Sequence, residues 1–168
     1  MLGRAGMPEV GHNVAPAIWL DEVVLVMDVP PGTWTAYLNR WTYEVVTISK
    51  SDLELPDWGD DDPEFREYQR REVARARAVV GSEDFLKLPG PFEIREFDIM
   101  ESFSRVVQDR SFKAALIRAL CARDAFRRFR DVVQEFGFTS VWLGFRELAV
   151  EQIAADWLDA NGIAYRRG

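Results

Sequence analysis

The chain has 168 residues, 48% of them apolar and including six Trp and eleven Phe, enough core material for one domain that needs no disulfide or metal to fold. Its net charge of −7 argues against general affinity for polyanions, and the lone Cys121 excludes a disulfide framework or a multi-cysteine zinc site. The longest apolar run, VVLVM, falls far short of the ~20 residues a membrane helix requires, so the chain reads as a cytoplasmic, acidic protein with no membrane partner.

Residues 1–16 are rich in Gly, Pro and Asn and lack periodicity, which reads as a flexible tail before a single α+β domain over residues 17–168. The tail has one Arg and no apolar stretch, so it is not a secretory signal. It holds His12, the only histidine. A short helix is expected over 18–27, ended by Pro30-Pro31-Gly32. Two runs rich in Thr, Trp, Tyr and Val follow, at 33–39 and 43–49, and their short link predicts an antiparallel hairpin. Alternation puts Trp34, Ala36 and Leu38 on one face, Thr35, Tyr37 and Asn39 on the other.

The stretch 51–65 carries seven acids and no base. Its run DWGDDDPEF invites comparison with a calcium loop, but the glycine precedes the acids and the acids are consecutive, so their side chains diverge. A solvated acidic loop is expected, and no metal. Pro63 suits the first turn of a helix through residue 80, followed by a short strand at 85–88 and the breaker Pro89-Gly90-Pro91. Beyond it, apolar residues recur at helical spacing: Phe97, Met100, Phe103 and Val107; Phe112, Leu116 and Leu120; Phe126, Phe129, Val133 and Phe136; Trp142, Phe145, Ala149, Ile153 and Trp157. Breaks fall near 109–111, 123–124 and 137–139, and Asn161-Gly162 closes the last helix. An N-terminal hairpin or small sheet packed on a C-terminal bundle of about four helices is the expected architecture.

Two motifs carry a family resemblance. AFRRFRDVVQEFG, followed by VWLGFRELAVEQIAADWLDANGI, resembles the C-terminal core of the bacterial uncharacterised protein family zero-one-five-eight, whose members pair an AFRRFKDVL helix with a later W-x-x-F-R helix ending in Trp-Leu. EFDIMESFSRVV is similar to that family's eyxxMedFi segment, and AYLNRWTYEVVTIS sits where members carry a yLDleTGEV hairpin. The resemblance spans roughly residues 17–165. It departs from the pattern at Asn39–Tyr43, where the family's acid and turn glycine are replaced. It implies a fold, and no activity or cofactor.

No catalytic constellation is apparent. With the sole histidine in the tail, no Ser-His or Cys-His pair can be assembled in a rigid core, and the chain lacks G-x-S-x-G, Walker and dinucleotide-binding glycine patterns. Catalytic residues, cofactors and metal ligands are therefore expected to be none, leaving a carboxylate-only enzyme as a third reading. Cys121, in the apolar run AALIRALC, reads as a small buried hydrophobe.

Between Arg110 and Arg130 there are seven bases against Asp124 alone. Arg123, Arg127 and Arg130 recur at helical spacing opposite a Phe126/Phe129/Val133 face, with Arg128 to one side. Their guanidinium forks suit capture of phosphate or carboxylate. They equally suit pairing with Glu147 and Glu151 or with the acidic loop. Trp142, Phe145 and Trp157, with Phe126 and Phe129, are expected in the core. The hairpin's Trp34, Tyr37, Trp41 and Tyr43 are too dense for a two-stranded ribbon to bury unaided, so they are interface candidates. The functional expectation is an interaction or ligand-binding protein with a protein partner or self-association. A nucleic-acid regulator using the arginines is the alternative.

Overall fold

The computed structural model describes residues 17–54 and 63–168; the tail with His12 and the acids at 57–62 lie outside the described residues. The fold is α+β. A short strand β1 (Ile18–Trp19) runs into helix α1 (Leu20–Met27), so the expected helix over 18–27 begins two residues late. Strands β2 (Thr35–Asn39), β3 (Val45–Ile48) and β4 (Phe85–Lys87) form an antiparallel sheet in the order β3-β2-β4. Helix α2 (Pro63–Gly81) connects β3 to β4. A one-turn helix α3 (Pro91–Ile94) leads into the bundle of α4 (Glu96–Val106), α5 (Arg110–Leu120), α6 (Ala125–Glu135) and α7 (Thr139–Ala160). Finally β5 (Tyr165–Arg166) pairs in parallel with β1, Ile18 opposite Tyr165 and Trp19 opposite Arg166.

The alternation expected of the hairpin decides which way the sheet faces. Ala36 and Leu38 of β2 are buried in the main core, whereas Tyr37 points to the opposite face. There it meets a smaller cluster in which Ile48 packs on Ala76 and Val79 of α2. Both faces of the sheet thus carry packing, while Trp34 and Trp41 stay exposed.

The connection between β2 and β3 is held by Asn39. Its side-chain oxygen accepts from the backbone N–H of Trp41 (2.9 Å) and Thr42 (3.0 Å), and its carbonyl accepts from Tyr43 N–H at 2.9 Å. Tyr43 closes the turn at φ 60°, left-handed backbone that costs a residue with a Cβ about 1–2 kcal/mol.

The bundle is centred on aromatic rings. Phe103 of α4 meets Phe112, Phe129, Trp142 and Phe145 edge-on at centroid distances of 6.2, 6.1, 5.3 and 5.3 Å. Such pairs add about 0.5–1.5 kcal/mol each to the burial of their area. Helix α5 starts where expected because Asp109 accepts a hydrogen bond from Phe112 N–H at 2.7 Å. No helix among the described residues is long and apolar enough to cross a membrane.

Two core expectations are corrected. Phe129 and Trp142 are buried, and Phe145 and Trp157 lean against the core half-buried, but Phe126 is 52% exposed. Phe126 shares its face with the buried Val133 but sits in the first turn of α6, at the end of the bundle. It belongs to the rim of the apolar face and packs on Phe97 of α4, centroids 6.3 Å apart. Cys121 follows the last turn of α5 and is exposed, since its position falls away from the buried Phe112, Leu116 and Ala119.

Candidate interaction groove

Three exposed aromatic side chains, Phe92, Phe97 and Phe126, gather where α1, α3, α4 and α6 meet. The loop after α1 carries Pro30 and Pro31, α3 carries Phe92, and the rim of α4 and α6 supplies Phe97 and Phe126. Phe92 is 85% exposed, and with its neighbours it lines an open hollow of about 930 Å³. A second hollow, of about 340 Å³, lies against the sheet and is lined by Trp34, Tyr37, Lys50 and Lys87. The two share Val29, Pro31, Pro91 and Phe92, so they lie side by side. Contiguous apolar surface of this kind is what partner-binding faces expose.

Arg146 of α7 fixes the groove floor. Its Nε donates to both carboxylate oxygens of Glu96 at 2.8 and 2.9 Å, and its two terminal nitrogens donate to Asp28 at 2.7 Å each. Only 24% of the Arg146 side chain reaches solvent. The hydrogen bonds from Arg146 hold the Asp28 carboxyl below its ordinary 3.8, against the desolvation that would raise it. They raise the arginine's own pKa in turn, chiefly through Asp28. Asp28 caps the end of α1 and Glu96 opens α4, so one guanidinium ties three helices and anchors the Pro30-Pro31 loop.

The expected arginine stripe is only partly realised. Arg123 lies in the turn ahead of α6, and Arg127, Arg128 and Arg130 lie on it. Arg127 and Arg128 both bond to Asp124, Arg128 Nε at 2.6 Å, rather than to Glu147 or Glu151. Those two bonds, Arg127's the larger, lower the Asp124 carboxyl to about 2. Arg123 and Arg130 are exposed and have no ion pair or hydrogen-bonded side-chain partner among the described residues.

The hairpin aromatics divide. Trp34 lies in the groove with its indole N–H donating to the Val26 carbonyl at 3.3 Å. Tyr37 lines the same hollow while packing toward α2. Trp41 stands outside it, 70% exposed, its indole N–H bonded to Asp84 at 2.9 Å and the Arg40 guanidinium over its ring. Tyr43 is half-buried against the main core. Sequence reasoning missed the central residue, Arg146, although it is the arginine of the W-x-x-F-R motif. Its partner Asp28 stands 118 positions away. Among the described residues no cluster of three or more metal-binding side chains occurs.

No family model, no curated protein and no solved structure matches this chain.

Proposed function

We propose that this chain is a non-catalytic interaction protein that engages a partner along the groove from Trp34 past Phe92 to Phe126. The observation that carries this reading is the set of exposed proline and aromatic side chains along two neighbouring hollows, the larger of them lined by the locked Arg146. A rigid floor lowers the ordering cost of binding. The lining carboxylates support binding over chemistry, because each is already engaged. Asp28 and Glu96 are held by Arg146, Asp98 by Arg95 at 3.0 Å, and Glu93 by the Gly90 N–H at 2.8 Å. A general base has to be available to a substrate proton.

We further propose kinship with the bacterial family zero-one-five-eight. Support comes from Tyr43, whose left-handed backbone at φ 60° is what the turn glycine of that family's hairpin would adopt. A cytoplasmic setting is proposed from the one exposed thiol, Cys121, which suits a reducing compartment.

The test uses the whole chain, immobilised, to capture partners from lysate of its source cells. The double variant Phe92→Ser, Phe126→Ser changes two exposed rings and should stay folded, melting within about 5 °C of the wild type. A partner retained by the wild type and lost from the variant is the expected result. Identical capture by both proteins, or none by either, would refute the groove as the working surface.

A further inference from the structure

In the order β3-β2-β4, strand β3 (Val45–Ile48) has a neighbour on one side only, so the sheet has an open edge. The Asn39 N–H donates to the Glu44 carbonyl at 2.8 Å, which fixes the parity of the ladder. Val46 and Ile48, opposite Tyr37 and Thr35, turn their backbone groups toward β2, and the N–H and C=O of Val45 and Thr47 point away from it. Among the described residues no other group bonds to those outward ones. A hollow of about 540 Å³ lies between the edge and α2. It is lined by the chain from Glu44 to Ile48 and by Tyr68, Glu72, Arg75 and Ala76 of the helix. Only the buried Ile48 is shared with the hollows of the groove, so this is a second surface, independent of the groove reading. Its lining carries the acids Glu44, Asp52, Glu54 and Glu72, all exposed, against Arg75 alone. Lys50, just outside the lining, approaches only Glu54, at 4.0 Å. Glu44 and Glu72 have no cationic partner among the described residues.

We propose that this edge accepts an extended, basic polypeptide segment as a fourth strand. The segment's backbone pairs with the free N–H and C=O groups of Val45 and Thr47, the bonds a sheet edge offers to any extended chain. Its side chains alternate between the two faces. Those on the α2 side lie beside Val46, Ala76 and the half-exposed Tyr68, and lysines or arginines among them reach Glu44 and Glu72. The excess of acids in the lining sets the sign of the ligand and steers its approach. It also argues against a second copy of this chain. In a symmetric pair of β3 edges each acidic lining would face its own duplicate, and like charges opposed across a strand pair destabilise it. Nucleic acid carries the wrong charge and has no amide groups to extend the ladder.

The experiment is selection of a random twelve-residue peptide library on the whole chain, with depletion on Thr47→Pro. Proline at that position removes an outward N–H and no bond to β2, which an edge strand tolerates. Enriched peptides should be net basic, with β-branched or aromatic residues at alternate positions. A labelled winner, titrated by fluorescence anisotropy, should bind Thr47→Pro at least about tenfold more weakly. It should also bind Glu44→Gln, Glu72→Gln more weakly, by a factor that shrinks at 0.5 M salt. N-methylation of the peptide, one residue at a time against the wild-type protein, gives a readout that needs no variant to fold: binding should be lost at every second residue. A pattern without that alternation, or no enriched peptide at all, would overturn strand addition. Edge-dependent peptides that are acidic or uncharged would overturn the basic ligand. A wild-type dimer in sedimentation equilibrium that Thr47→Pro converts to monomer would give the edge to a second copy, and would overturn the proposal as well.

Discussion

Replacing Arg146 by Met tests whether its network holds the fold as the geometry implies. Methionine keeps most of the stem's packing and deletes the guanidinium, leaving Asp28 and Glu96 as two unpaired carboxylates. Exposed ion pairs contribute about 0.2–1 kcal/mol, and breaking a buried one costs about 3–5 kcal/mol. Asp28 and Glu96 are 38% and 31% exposed, between those limits but nearer the first. About 1–1.5 kcal/mol for each doubly bonded carboxylate gives about 2–3 kcal/mol in all. For a domain of this size, at about 2–4 °C per kcal/mol, the melting temperature should fall by about 5–10 °C. Circular dichroism at 222 nm during heating reads this directly. The triple variant Asp28→Asn, Glu96→Gln, Arg146→Met should recover part of the loss, because no buried charge is then left alone.

Acid offers a second readout with a definite sign. The folded-state pKa of Asp28 lies below its unfolded value of 3.8. Its stabilisation is therefore complete above that value and fades as pH falls through the lowered folded pKa, where the native carboxylate finally takes its proton. The gap between wild type and Arg146→Met should accordingly narrow in that acid range. A variant melting within about 2 °C of the wild type at pH 7 would refute the structural weight given to the network.

Three further outcomes are expected. Tyr43→Gly should be more stable than Tyr43→Ala by about 1 kcal/mol in urea denaturation, because glycine accepts φ 60° without strain; equal stability would deny the left-handed turn. Trp142→Ala should cost about 3–5 kcal/mol, whereas Phe126→Ala, at an exposed rim position, should cost under about 1 kcal/mol in the same assay. Asp109→Ala removes the cap that accepts from Phe112 N–H and should lower stability by about 1 kcal/mol, with faster amide exchange confined first to the opening turn of α5.

Much of the fold was legible because it rests on local periodicity. The hairpin, the long helix after the acidic stretch and the four bundle helices follow from alternation, spacing and breakers. What escaped was set by placement or distance. Phe126 matched the helical repeat of Phe129 and Val133, but it stands in the first turn of α6, where the core no longer covers that face. Arg123 shared the spacing of Arg127 and Arg130, yet α6 starts only after Asp124. The two-residue strands β1 and β5 are too short to carry a period of two. The Arg146 network joins residues from α1, α4 and α7, and no spacing rule reaches across 118 positions.

The pairing of β1 with β5 gives the described fold the character of a ring. Ile18 and Tyr165 are neighbours in space although 147 positions separate them (165 − 18). Such a contact has the largest loop to close and is favourable only after the intervening helices have assembled, so the two ends fasten each other as assembly completes. A ring has no privileged opening. Severing the backbone at the exposed turn after Gly81, and bridging Gly168 back to residue 17 with a short linker, would alter which neighbours are sequential while keeping every packing partner in place.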